Sequence, residues 1–135
     1  MKDKKIIVAG KRKTSVAKAR IAEGSGKIKI NNIPSDLLNN FHILLIEEPV
    51  RIAKKILGNF NFDINVKVTG GGRESQIEAA RLAIAKALVA FTKSAELRKA
   101  FLTYDKALLI ADIRRKETYK PGDSKARSKR QKSYR

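Results

Sequence analysis

Residues 60–92 read FNFDINVKVTGGGRESQIEAARLAIAKALVAFT, and the fold class follows from this stretch. Apolar and polar residues alternate from Phe60 to Thr69, which is the period of a strand with one buried face. After the three glycines, apolar residues recur every three or four positions from Ile77 to Phe91, as in an amphipathic helix. The stretch therefore predicts a strand packed on one side, a glycine turn, and a helix over residues 73–92.

Shorter patterns predict the other elements. Residues 6–9 form an apolar run that Gly10 should close, and residues 15–22 alternate with Lys18 and Arg20 on the outer face. Glycines in residues 24–26 should turn the chain into a hairpin between residues 15–22 and 27–30. A helix should begin at Pro49 and end at Gly58, and a further one should begin near Ser94. Together these predict an α+β fold, a two-layer α/β sandwich with a mixed sheet of about four strands and two main helices on one face.

The positive charge is concentrated at the two ends of the chain. The net charge is +18; residues 1–20 carry eight Lys/Arg against one acid, and residues 114–135 carry ten against two. The middle, residues 21–113, is nearly balanced, with thirteen against ten. We therefore expect a globular domain over residues 1–113, an extended basic C-terminal tail over residues 114–135, and a polyanionic partner.

The predicted tail, RRKETYKPGDSKARSKRQKSYR, contains no Leu, Ile, Val, Phe or Met. Such a segment cannot bury enough apolar surface to offset the entropy of ordering it, so we expect it to be disordered alone. A cationic segment rich in hydrogen-bonding groups is typical of chains that fold onto RNA phosphates. A charged tail that only improves solubility is the alternative.

Two further segments are candidates for phosphate binding. The turn Lys11-Arg12-Lys13-Thr14 offers three cations, although a solvated charge run would look the same. The glycine loop, residues 70–72, precedes a predicted helix whose N-terminus carries a partial positive charge, and Arg73 adds a full charge. The loop is equally compatible with a tight strand-to-helix turn.

The sequence does not match the catalytic, metal-binding and membrane-spanning motifs against which it can be compared. Residues 10–13 lack the Ser or Thr that follows GK in a P-loop, and residues 70–75 lack the third glycine of a dinucleotide fingerprint. His42 is the single histidine and there is no cysteine, so the residues cannot form any of the common transition-metal clusters. No apolar run approaches the roughly 20 residues of a membrane span. We predict a cytoplasmic protein that is not an enzyme and has no metal, no cofactor, no small-molecule substrate and no membrane partner.

Two alternatives stay open at this point. The same charge would suit a DNA-compacting protein, and the glycine loop with Arg73 would suit a small enzyme acting on a phosphate substrate.

Four segments together resemble a known family. They are GKRKTSVAKARI (residues 10–21), VTGGGRESQIEAARLAIAKAL (68–88), the segment from Tyr104-Asp105 to Lys116-Glu117, and KARSKRQKSYR (125–135). Together they resemble the ribosomal protein S-nine family of the small subunit, over essentially the whole chain. The ending Ser133-Tyr134-Arg135 replaces the Ser-Lys-Arg of bacterial members, and the tail looks like that of an archaeal-type member.

The resemblance implies a fold like domain two of ribosomal protein S-five, with one left-handed crossover. It implies a body bound to ribosomal RNA in the head of the small subunit, beside neighbouring head proteins. It also implies a tail that reaches the anticodon stem of the peptidyl-site tRNA during translation, where Lys132, Tyr134 and Arg135 are the expected contacts. The residues expected to bind ribosomal RNA are Lys11, Arg12, Lys13, Thr14, Lys18, Arg20, Gly70, Gly71, Gly72, Arg73, Arg114, Arg115, Lys116, Lys125, Arg127, Lys129 and Arg130.

Overall fold

The body of the protein is a five-stranded mixed sheet with one long helix against one face and two further helices packed on that helix. The computed structural model describes residues 5–122, 125–128 and 133–134. The elements in chain order are β1 (Ile6–Arg12), β2 (Ser15–Glu23), β3 (Ile28–Ile30), β4 (Ile33–Pro34), α1 (Asn40–Leu57), β5 (Phe62–Thr69), α2 (Arg73–Thr92) and α3 (Ala95–Tyr104). Short 3₁₀ turns cover Ser35–Leu37 and Lys106–Leu108. The predicted α+β class, a two-layer sandwich, is confirmed.

The strand order is β1-β2-β5-β3-β4, with β5 antiparallel to β2 and parallel to β3. The predicted hairpin between residues 15–22 and 27–30 is therefore wrong, because β5 lies between the two strands. The intervening loop is held against the start of β5: Asp63 Oδ1 accepts hydrogen bonds from the N–H groups of Ser25 (2.8 Å) and Lys27 (3.0 Å). β3 and β5 are parallel neighbours joined through α1, so this connection is the crossover that the family resemblance implies to be left-handed. Its handedness stays a prediction.

β1 continues through Gly10 to Arg12, so the prediction that Gly10 closes the strand is also wrong. A Cβ at Gly10 would lie 2.7 Å from the carbonyl oxygen of Ala79 and 2.8 Å from the nitrogen of Ala83, both in α2. The glycine therefore marks the place where helix backbone approaches strand backbone. As a result, only Lys13 and Thr14 remain in the turn between β1 and β2, and Lys13 has a positive φ of 53°.

The core lies between the inner face of the sheet and α2. Small side chains line this seam: Ala17 and Ala19 of β2 and Ala79, Ala83 and Ala87 of α2 are fully buried. They allow the helix to lie close to the sheet, and larger residues such as Ile64 and Leu88 fill the remaining space. The predicted bounds of α2, residues 73–92, are confirmed.

α1 begins at Asn40, nine residues before the predicted start, and Pro49 lies buried inside it. The helix ends at Gly58, whose φ of 76° is the left-handed conformation that favours glycine. Ser94 caps α3 as predicted, its Oγ accepting from the N–H of Leu97 (3.2 Å). Within the described residues, the last helical turn ends at Leu108. The division between a domain over residues 1–113 and a tail over residues 114–135 stays a prediction.

Candidate nucleic-acid interface

The β1–β2 turn and the start of the predicted tail, far apart in sequence, lie side by side. They enclose a cleft of about 550 Å³, which we call the cationic cleft. Its lining consists of Arg12, Lys13, Thr14, Arg114, Arg115 and Lys116. Two segments that the sequence singled out independently for phosphate binding are thus brought together. Five cations around one concave surface produce a strong local positive potential.

The glycine loop packs directly behind this turn. Gly70 and Gly71 have positive φ angles of 76° and 64°. A Cβ on Gly70 would lie 2.6 Å from the carbonyl oxygen of Thr14, and one on Gly71 would overlap the hydroxyl of Ser15. Backbone conformation and close packing therefore require glycine at these two positions. This agrees with the alternative that the loop is a tight strand-to-helix turn. Gly72, in contrast, has no atom within 4 Å of such a Cβ and a φ of −98°.

The N-terminus of α2 follows at Gly72, which has no side chain to cap the helix. The Ser75 hydroxyl accepts instead from the N–H of Gly72 (3.1 Å), which supplies one half of a capping box. Arg73, the first residue of the helix, is exposed. A helix N-terminus with an adjacent guanidinium favours anions. The hydrogen bond between the hydroxyls of Ser75 and Ser15 joins this one to the first residue of β2, next to Thr14 of the cationic cleft.

Arg12 and Arg114 both have intramolecular partners. The Arg12 side chain is only 16% exposed; its Nε donates to Glu78 of α2, and its Nη1 lies 2.7 Å from Asp112 Oδ2, out of line for a hydrogen bond. Arg114 donates to the same carboxylate through Nη2 (2.7 Å) and Nε (2.9 Å). The side chain and backbone N–H of Arg114, with the charge of Arg12, hold the pKa of Asp112 well below its usual range. The other three cleft cations, Lys13, Arg115 and Lys116, are exposed like Arg114 but pair with no carboxylate among the described residues.

The outer face of the sheet is a second cationic surface. Lys18 and Arg20 of β2 are exposed, as the alternation predicted. The register places Lys18 directly opposite Lys67 of β5, and Arg20 opposite Asn65, which in turn lies opposite Lys29 of β3. Lys67 and Lys29 are candidate binding residues that the sequence reasoning missed. Their polar positions in the strand pattern were visible, but only strand pairing shows that they share a surface with Lys18 and Arg20.

The tail residues in the part of the chain that is described are exposed and form neither helix nor strand. Arg127 Nε donates to Glu117 Oε2 (3.1 Å), and the Lys116 ammonium lies 4.9 Å from the centre of the Tyr119 ring. Lys125 is exposed, and the Tyr134 side chain is 88% exposed. The predicted binding residues Lys129, Arg130, Lys132 and Arg135 lie outside the described residues.

His42 pairs with an acid on the surface, its Nε2 lying 2.9 Å from Glu74 Oε1. Among residues 5–122, 125–128 and 133–134, no three His, Asp or Glu side chains are grouped so as to hold a metal ion. None of the helices in those ranges combines the length and the apolar character that crossing a membrane requires.

Comparison with known proteins matches nearly the whole chain. Residues 10–135 match the family described as ribosomal protein S9/S16. The small ribosomal subunit protein uS9 of Methanococcus vannielii is 47% identical over 135 residues, which cover 98% of this chain and 99% of that protein. The protein of the same name from Methanococcus maripaludis strain C7 is also 47% identical, with the same coverage.

Proposed function

The chain belongs to the ribosomal protein S9/S16 family, and from this premise we propose that it is a structural constituent of the small ribosomal subunit that binds ribosomal RNA in the subunit head. The family resemblance drawn from the sequence motifs is confirmed, and both relatives come from archaea. The protein acts in translation as part of a cytoplasmic ribonucleoprotein, beside neighbouring head proteins. It uses no cofactor and acts on no small molecule.

The observation that carries this proposal is the convergence of cations from distant parts of the chain. Lys13, Arg115 and Lys116 surround the cationic cleft, while Lys18 and Lys67 lie side by side on the outer sheet face. Lysine and arginine side chains bind phosphate oxygens readily, and contacts to phosphates position a protein without reading base sequence. We therefore infer that binding depends on RNA shape and phosphates more than on base sequence.

We further propose that residues 114–135 extend from this body to the peptidyl-site tRNA, where Lys132, Tyr134 and Arg135 contact the anticodon stem. Twenty-two residues reach about 70 Å when extended, far enough to act at a distance from the body. An arginine binds one phosphate through two hydrogen bonds, and an exposed tyrosine stacks or donates to a phosphate oxygen.

The test is sedimentation of a tagged full-length chain and of a chain ending at Ile113 with small ribosomal subunits, after a moderate salt wash. We expect both to co-migrate with the subunit, and only the full-length chain to support full tRNA affinity at the peptidyl site. If neither leaves the top of the gradient, the ribosomal proposal fails. Equal competition by duplex DNA would favour the DNA-compacting alternative instead.

A charge-matched pair of variants makes the test specific to the cationic cleft. Lys13→Gln/Arg115→Gln/Lys116→Gln removes three exposed cations from the cleft, and Lys55→Gln/Arg98→Gln/Lys99→Gln removes three exposed cations from α1 and α3. If six or so phosphates are neutralised, log affinity falls with log salt at a slope of about −4 to −5, and each lost contact reduces the slope by about 0.7–0.9. Equal losses in the two variants would contradict binding at the cleft.

A further inference from the structure

Asp112 is the acceptor for three groups of one neighbouring residue. Its carboxylate receives the backbone N–H of Arg114 (2.9 Å) together with the Nε and Nη2 groups of the same side chain. Both of these N–H groups of the Arg114 guanidinium donate to Asp112 Oδ2, and Nε also lies 3.2 Å from Oδ1. Hydrogen bonds between charged groups are roughly twice as strong as those between neutral groups. The Asp112 carbonyl oxygen accepts in addition from Arg115 Nη1 (3.1 Å). The chain direction at residues 112–115 is thus set by side chains where no helix or strand sets it.

Arg12 connects this turn to both layers of the body. It lies at the end of β1, and its side chain is mostly buried between Asp112 and Glu78 of α2. A buried guanidinium left without its carboxylates is strongly unfavourable, so the three groups hold one another in place. The Arg12 side chain is mostly buried, whereas those of Asp112 and Glu78 are 29% and 46% exposed, so salt screens these pairs only in part.

The same cluster reduces the repulsion between cations at the start of the tail. Five Lys and Arg side chains line the cationic cleft, and like charges gathered around one cleft repel one another. Asp112 and Glu78 place two negative charges against Arg12 and Arg114, so the remaining cations can stay close together.

We propose that Asp112 is a positioning residue: with Arg12, Glu78 and Arg114 it forms an ionic latch that fixes the direction in which the tail leaves the body. A tail with a fixed root samples a smaller volume than one that pivots freely, and its end therefore has a higher effective concentration at a fixed target. The latch is a property of the free protein. Its benefit for tRNA contact rests on the proposed function.

Spin-label distances in the full chain test the latch directly, since the absence of cysteine allows two labels to be placed at will. One pair, Lys99→Cys with Thr118→Cys, joins α3 to the tail; another, Lys99→Cys with Asn65→Cys, lies within the body. Asp112→Asn is the variant and Asp105→Asn the control. Each asparagine keeps a side-chain oxygen for the backbone N–H that the aspartate accepts, which is that of Arg114 for Asp112 and that of Ala107 for Asp105. Each also removes a negative charge that faces an arginine side chain.

We expect a narrow tail–body distance distribution in the unmodified chain and in Asp105→Asn. In Asp112→Asn it should broaden toward the spread of a free six-residue linker, on the order of 10 Å, while the body pair stays narrow. A tail–body distribution as narrow in Asp112→Asn as in the parent would overturn the latch. Equal broadening of the body pair would overturn it too, because Asp112 would then support the fold rather than the direction of the tail.

A binding assay with small ribosomal subunits distinguishes a failure of the latch from a failure of the proposed function. With both correct, Asp112→Asn binds subunits like the parent but loses tRNA affinity at the peptidyl site, and Asp105→Asn does not. Broadened distances in a protein that never binds the subunit would leave the latch standing and overturn the proposed function. Parent-like distances in a protein that binds subunits would overturn the latch alone.

Discussion

The hydroxyl oxygens of Ser15 and Ser75 lie 2.8 Å apart at the buried junction between β2 and the first turn of α2. The Ser15 hydroxyl can also donate to the carbonyl oxygen of Gly70 (2.9 Å), and the Ser75 hydroxyl can donate to the carbonyl oxygen of Gly72 (3.0 Å). Each hydroxyl has one hydrogen, so the pair donates two of these three bonds at a time. The two serines therefore act as one unit that fixes the glycine loop against the sheet.

Replacing both serines should show this coupling. Ser15→Ala and Ser75→Ala should each lower the free energy of unfolding by about 1 kcal/mol, and the double variant should depart from their sum by about 0.5 kcal/mol or more. Urea unfolding of the four proteins measures it. Thr103→Ala, which removes an exposed hydroxyl that bonds to its own helix, is the control and should change little. Strict additivity would show that the two hydroxyls act independently.

Alanine at Gly10 should destabilise the protein, because its Cβ would meet the backbone of α2 rather than a movable side chain. We expect a loss of about 1–3 kcal/mol in the free energy of unfolding, as in other overpacked cores. Gly72→Ala is the matched control, since its Cβ would enter open space and its φ is ordinary. Thermal or urea unfolding compares the two, and similar midpoints would contradict the close approach of β1 and α2.

Lys67 should stabilise an RNA complex and destabilise the free protein. It lies directly opposite Lys18, and like charges at such a pair cost about 0.2–1 kcal/mol. Lys67→Gln should therefore raise the free energy of unfolding slightly while weakening binding to a ribosomal RNA fragment. Lys99→Gln, at an exposed position of α3, should leave the affinity unchanged. A variant that loses stability and keeps its affinity would remove the outer sheet face from the proposed interface.

The loop between β2 and β3 should loosen in acid. The backbone N–H of Lys27, together with the backbone and hydroxyl of Ser25, lowers the pKa of the Asp63 carboxyl. Because the folded-state pKa lies below the unfolded value of about 3.9, this carboxylate contributes its full stabilisation above that pH. The contribution is lost as the pH falls from there through the folded-state pKa. Amide exchange of Ser25 and Lys27, measured from pH 7 to about pH 2, should report the loss.

Asp63→Asn is the reference for that measurement. It should show faster exchange of these two amides already at neutral pH and a weaker further response to acid. Since the cause is hydrogen bonding rather than distant charge, adding salt should leave the pattern in place. An unchanged exchange rate in Asp63→Asn would show that the carboxylate does not hold the loop.

Local sequence patterns predicted individual strands and helices better than they predicted which strands lie side by side in the sheet. The alternation in β5 and the spacing in α2 are properties of single segments, and both were read correctly. Which strand lies beside β2 depends instead on β5, which arrives almost forty residues after β2 ends. Residues 24–26 look like a hairpin turn, and the hydrogen bonds of Asp63 that direct this loop across β5 leave no periodic signal.

Other errors have similar causes. Gly10 and Pro49 are strong local breakers, yet one lies within β1 and the other within α1 because tertiary packing outweighs their intrinsic cost. At the candidate site, the cations were visible in the sequence. Their convergence on one cleft, and the carboxylates of Glu78 and Asp112 that neutralise Arg12, required the fold.

The placement of β5 between β2 and β3 has a consequence for synthesis of the chain. Until residues 62–69 have left the ribosome that makes them, β2 has one unpaired edge and β3 lacks its parallel neighbour. Such open edges are templates for pairing with other chains, and contacts between distant segments form slowly. The nascent protein therefore passes through an interval, ended by the arrival of its central strand, in which association with other chains competes with folding.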